Sequence, residues 1–139
     1  MRSIRAWLLG MVACLAFAAP LRAEHPKDGH PVMVGSEGPE LDACVAVGRV
    51  TGLDPEGDNY LAVRAAPHLS GHENDRLDPA TLVWLCDRDG EWQGIVYPHG
   101  IYQDLGDCRV SSPVAVPEPY GGPCRHGWVL AKYLDLVAG

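Results

Sequence analysis

The sequence predicts an all-β fold, a small barrel or sandwich of short strands. Past residue 41 the apolar runs are short and rich in Val, Leu, Trp and Tyr, with Gly, Pro and Asp clusters between them. No sustained 3.6-residue periodicity follows the N-terminal region, so long amphipathic helices are not expected. Cysteines after that region are spread singly, Cys44, Cys86, Cys108 and Cys124, as suits a stapled small domain. Many short strands joined by Gly/Pro turns imply a closed or stacked β architecture.

The N-terminus reads as a secretory signal peptide over 1–23. Arg2 and Arg5 form a basic start, Trp7 to Ala19 an apolar stretch, and Leu21-Arg22-Ala23 a cleavage site before Glu24. The stretch falls short of the ~20 residues that span a bilayer, so no membrane span is expected after cleavage. Met-Val-Ala before Cys14 is a poor lipobox, and apolar chain continues beyond it, which disfavours lipidation there. Residues 24–41, rich in Pro, Gly, Glu and Asp, read as a flexible tether. One domain is expected over 42–137.

Within it, Ala43 to Leu53 carries Val45, Val47 and Val50 and reads as a strand, ended by the turn-rich Asp54 to Asn59. Leu61 and Val63 alternate with Ala62 and Arg64, the pattern of a strand with one buried face. His68 to Asp75 is polar and reads as a loop. Leu82 to Cys86 and Trp92 to Tyr97 flank Asp89-Gly90, a hairpin signal because glycine accepts positive φ. Pro98 to Cys124 is a long Pro- and Gly-rich loop. Trp128-Val129 makes a last strand, and Leu130 to Leu134 a single helical turn.

Charge narrows the partners. The formal net charge is −7, and loss of Arg2, Arg5 and Arg22 with the leader leaves eight basic against eighteen acidic residues, a balance of −10. With no basic cluster, nucleic acid and anionic membrane surfaces are not expected partners. Four cysteines allow three connectivities. The favoured one joins Cys108 to Cys124 across the long loop and Cys44 to Cys86 between the first strand and the sheet, each adding a few kcal/mol through restriction of the unfolded chain. A zinc site is disfavoured by the absence of any C-x-x-C pair.

These segments fall in an order similar to that of the bacterial SH3 (SH3b) domains. The resemblance rests on Leu61-Ala62-Val63-Arg64-Ala65-Ala66-Pro67, on the strand opened by Trp92, on Gly127-Trp128-Val129, and on the tail Lys132-Tyr133-Leu134. It covers roughly 45–136. It implies a five-stranded SH3-like barrel, here with a longer, stapled loop after Tyr97, and a periplasmic or secreted module that binds a peptide, peptidoglycan or an envelope protein. It also implies a ligand groove bordered by Trp92.

Tyr60, Tyr97, Tyr102, Tyr120 and Tyr133 are the candidates to line that groove with Trp92, since aromatic faces suit peptide prolines and sugar rings. Trp84 and Trp128 are expected to fill the barrel core. Pro113 to Pro119 reads as a stiff loop laid across its own barrel, with a docking peptide as the alternative. No catalytic set stands out, and no cofactor or metal is expected. A Cys-His hydrolase would need Cys86 or Cys124 as nucleophile and His99 or His126 as base, which conflicts with evenly paired cysteines. His68 and His72, with Glu73 and Asp75, sit beside Pro67 and Gly71, against a helical pair of metal ligands. His25 and His30 would bind metal weakly in a tether, and Asp54 to Asp58 lacks the later Glu of a calcium loop. The expected role is therefore a non-catalytic binding module; a structural subunit of an envelope assembly is the alternative.

Overall fold

The computed structural model describes residues 29–139, so the signal peptide over 1–23, Cys14 and His25 lie outside the described residues. The described chain is all-β, with strands β1 (Met33–Val34), β2 (Ala46–Val50), β3 (Leu61–Arg64), β4 (Glu73–Leu77), β5 (Leu82–Asp89), β6 (Trp92–Tyr97), β7 (Glu118–Pro119), β8 (Arg125–Leu130) and β9 (Leu134–Ala138). Two short 3₁₀ turns, Leu105–Cys108 and Ala131–Tyr133, complete it.

Seven strands form one antiparallel sheet in the order β4-β3-β8-β6-β5-β2-β9, while β1 and β7 pair separately. The expected five-stranded closed barrel is thus corrected to an open sheet. Closure would require β4 to meet β9. Instead β4 carries Glu73, Asp75 and Arg76, whose side chains are taken up in ion pairs and a tyrosine hydrogen bond, and it pairs with β3 alone.

The sheet has a core on each face. Val50, Leu61, Val63, Leu77, Val83, Ile95, Tyr97 and Val129 pack on one side. On the other, Trp92, Val96, Cys86 and Trp128 are covered by Val32, Val34, Cys44, Val110 and Tyr120 from the N-terminal and long-loop segments. The strand β6 lies between these cores, with all six residues buried. That is why Trp92 to Tyr97 reads as a near-continuous apolar run rather than an alternating one.

Within the expected tether over 24–41, the covering layer corrects the reading for residues 29–41, while 24–28 lie outside the described residues. Val32 is fully buried, Val34 nearly so, and β1 pairs with β7 in the register Met33↔Pro119. Its partner strand comes from far along the chain, so no local periodicity announces it. That pairing at Glu118–Pro119, with an isolated bridge between Asp42 and Pro113, holds the two ends of Pro113–Pro119 against their own domain. Two tryptophans hold the cover in place. Trp128 donates its indole N–H to the His30 carbonyl at 2.7 Å, and Trp84 donates to the Leu105 carbonyl at 2.8 Å. Trp128 belongs to the core on the covered face, and Trp84 packs partly buried against it. Their bodies satisfy the hydrophobic demand while their N–H groups, otherwise unpaired, anchor loops.

Gly94 lets the cover approach. A Cβ there would meet Asp87 Cβ at 2.8 Å and Val32 Cγ1 at 3.0 Å. Opposite it, β5 bulges between Leu85 and Asp87, and the Asp87 carboxylate accepts the Met33 amide at 2.9 Å. Both disulfides form as the sequence favoured, Cys44–Cys86 and Cys108–Cys124.

Other elements follow the sequence with adjustments. The hairpin pairs Asp89 with Trp92, so its turn residues are Gly90, at φ 56°, and Glu91. The helical turn lies at Ala131–Tyr133, and the strand β9 follows it unannounced. The loop expected over His68–Asp75 ends early, because β4 begins at Glu73 as a polar edge strand that buries only Leu77.

Candidate functional site

Three of the candidate groove residues come together. Tyr60 precedes β3, Trp92 opens β6, and Tyr133 closes the 3₁₀ turn after β8. With Leu53 and Leu130 they line an open cavity of about 390 Å³. A second cavity, about 730 Å³, is lined by Trp92, Leu69, Leu130 and Lys132 among others. Trp92, Leu69 and Leu130 line both cavities, so the two adjoin, and together they are called the groove.

Backbone contacts fix these positions. Trp92 lies opposite Leu130 in the β6–β8 pairing, and the Ala131 amide donates to the Glu91 carbonyl at 2.9 Å. The Thr51 amide donates to the Tyr133 carbonyl at 2.9 Å, tying the loop over 51–60 to the 3₁₀ turn. Arg64 donates through Nη1 to the Gly71 carbonyl at 3.0 Å, closing the loop that carries Leu69. Trp92 is only 9 % exposed, so it contributes an edge while its body belongs to the covered core.

Charge is distributed along the groove. Asp54, Asp58 and Glu73 line the first cavity with Arg64; Arg88 and Lys132 line the second with Glu91. The Arg76 guanidinium stacks 4.1 Å from the Tyr60 ring centroid and pairs with Glu73. The Lys132 ammonium sits 5.0 Å from the Tyr133 centroid. Each of these tyrosine rings thus has one face taken by a cation of the chain itself.

The other three candidates, Tyr97, Tyr102 and Tyr120, lie outside both cavities. Tyr97 is 3 % exposed and donates its hydroxyl to Asp75 Oδ2 at 2.9 Å. Burial, then the Asp75 carboxylate, push its phenol far up. Burial alone would raise Asp75, but the Arg76 amide, the Tyr97 hydroxyl and Arg125 outweigh it and hold the carboxyl below its ordinary value. Tyr120 is buried beside the Cys108–Cys124 bond, donating to the Cys108 carbonyl and accepting the Cys124 amide, each at 3.0 Å. Burial raises its phenol also. Tyr102 packs half-buried against the covered core and bridges to His99.

The reactive groups considered from sequence are otherwise engaged. Cys86 and Cys124 are both disulfide-bonded, so neither is a thiol beside His99 or His126. The His68 ring pairs through Nδ1 with the Ser70 hydroxyl at 2.7 Å. Among the described residues no group of three or more His, Cys, Asp or Glu gathers as a metal site.

Sequence reasoning passed over Leu69, Leu53, Leu130, Arg88 and Lys132 as groove residues. Leu69 had a signal: it is a lone large apolar side chain in a polar loop, and it is 70 % exposed. The others gave none, because their adjacency arises only when the β5–β6 hairpin and the 3₁₀ turn meet. No protein-family model, curated protein or solved structure matches this chain.

Proposed function

We propose that the protein is an exported, non-catalytic binding module whose groove takes an extended peptide, of the kind carried by cell-wall stems or by an envelope protein. The observation that carries this reading is the convergence of Tyr60, Trp92 and Tyr133 with exposed Leu69 in one open groove. Aromatic and apolar side chains supply contact area at low entropic cost, and a few placed charges orient the ligand. The carboxylates of Asp54, Asp58 and Glu73 at one end and the cations Arg88 and Lys132 at the other suit a peptide bearing an amino group and a carboxylate some residues apart. The two disulfides are compatible with an oxidising compartment, which supports the export part of the reading. The SH3b resemblance points the same way.

The test is titration with purified peptidoglycan fragments and with proline-containing peptides, followed by tryptophan fluorescence and calorimetry. Tyr133→Ala and Tyr60→Ala should each weaken binding about tenfold, the effect of truncating a groove aromatic. Tyr60 stands outside both cores and Tyr133 only packs, partly buried, against the margin of one, so both variants should fold. Absence of binding to every fragment, or binding indifferent to both substitutions, would refute the proposal.

A further inference from the structure

The second cavity of the groove is lined by more cations than carboxylates. Arg88 and Lys132 face it together with a single carboxylate, Glu91, and with the ring of His68. Acidic residues outnumber basic ones in this chain, eighteen to eleven, so a cation left without a carboxylate is informative. Arg76 and Arg125 have theirs, in Glu73 and Asp75. Among the described residues Arg88 and Lys132 stand in no ion pair, not even with Glu91. The Arg88 head is nevertheless positioned. Its Nε donates to the Gly90 carbonyl at 3.0 Å, which holds the guanidinium at the hairpin turn and leaves both Nη groups to donate.

The remaining wall is apolar, formed by Leu69, which is 70 % exposed, with Trp92, Leu130 and Ala131. Paired cations beside an apolar wall discriminate among anions. A phosphate offers the wall nothing to cover. An Asp or Glu within a peptide carries its carboxylate on the same side chain that would have to fill the wall. The last residue of a peptide meets both demands from one Cα, with its main-chain carboxylate and an apolar side chain.

We propose that this cavity captures the free C-terminal carboxylate of the bound peptide, with an apolar last residue laid on Leu69 and Trp92. The inference rests on the peptide reading above and deepens it by giving the ligand a direction. The C-terminus lies at Arg88 and Lys132, and the preceding residues run toward Tyr60 and Tyr133. Arg88 holds the carboxylate through its Nη hydrogens in fork geometry, and Lys132 adds a point charge. A module of this kind reads chain ends, so a protein partner would be recognised through its C-terminal tail and not through an internal segment.

The test offers the whole immobilised protein two pools of short random peptides ending in leucine, one with a free carboxylate and one amidated, and counts bound members by mass spectrometry. The free-acid pool should bind about tenfold better, the effect of one charge-assisted contact. Rising salt should shrink that ratio by screening. Arg88→Gln and Lys132→Gln should each bring the ratio toward unity while leaving binding of the amidated pool nearly unchanged. Arg49→Gln, at an exposed cation outside both cavities, should leave the ratio as it is. Arg88 and Lys132 are exposed, so both variants should fold. Should Arg88→Gln unfold through loss of its Gly90 contact, Lys132→Gln carries the test alone. The ratio separates capture from general damage, which lowers both pools together. N-acetylleucine should displace the free-acid pool, and inorganic phosphate should not. Equal binding of the two pools, or a preference that survives both glutamine substitutions, would overturn the inference and leave the peptide reading standing. Displacement by phosphate in preference to N-acetylleucine would also overturn it. Binding of neither pool would overturn both.

Discussion

Removing one disulfide at a time should destabilise the protein by amounts set by loop length. Cys108–Cys124 closes a loop with a sequence separation of 16, for which restriction of the unfolded chain is worth about 3 kcal/mol. Cys44–Cys86 spans 42, worth about 4 kcal/mol. Burial does not disturb the comparison. Each bridge has one sulfur partner almost wholly buried, Cys44 and Cys108, and one slightly exposed, Cys86 and Cys124, so packing losses are similar. The two loops do not overlap in sequence, so their restrictions of the unfolded chain add, although all four cysteines share one core. Loss of both, about 7 kcal/mol, would take most of the about 5–15 kcal/mol that stabilises a typical domain. The assay is urea unfolding followed by tryptophan fluorescence, on the wild type and on Cys44→Ala/Cys86→Ala and Cys108→Ala/Cys124→Ala. The first pair of substitutions should cost more than the second, and the doubly bridge-free chain should be largely unfolded at 37 °C. Either single removal costing under about 1 kcal/mol would refute the reasoning, as would a bridge-free chain as stable as its parent.

Two further outcomes test the packing. Asp75 has its carboxyl held below the ordinary 3.8, so its contribution is present above that pH and is lost as the medium acidifies through the lowered value. Tyr97→Phe should cost about 1 kcal/mol at neutral pH and flatten the acid limb of stability below pH 4, measured by chemical denaturation; an unchanged acid limb would count against the Tyr97–Asp75 contact. Gly94→Ala should cost about 1–3 kcal/mol, because the new methyl meets Asp87 and Val32, and should speed amide exchange in Met33 and Val34; wild-type stability would show that the cover yields freely.

Much of the fold is legible where neighbours in sequence are neighbours in space. The hairpin at Gly90 and the strand over Leu61–Arg64 announce themselves through turn chemistry and alternation. The sequence leaves three disulfide pairings open, and the favoured one, in which Cys108 and Cys124 bound a single loop, is the one that forms. Three things stay hidden, each for want of a local signal. β1 is too short to show a period, and its partner Glu118–Pro119 lies far along the chain. β4 looks like a loop because an edge strand needs only one buried residue, Leu77. β9 follows directly on a helical turn, so its residues read as a tail. The groove is half legible for the same reason. Tyr60, Trp92 and Tyr133 carry aromatic character that marks them, but Tyr97 and Tyr120 carry the same mark and spend it on Asp75 and on the Cys108–Cys124 loop.

Trp92 is shared property: its body is packed under the N-terminal cover and its edge faces the groove. Thermodynamic reciprocity then binds two events that look unrelated. On the proposed reading, a reductive loosening of the cover that moved this indole would lower the affinity of the groove. An occupant of the groove would then, by the same free energy, shield the Cys44–Cys86 bridge from reductant. Redox state and ligand occupancy would thus report on one another through a single side chain.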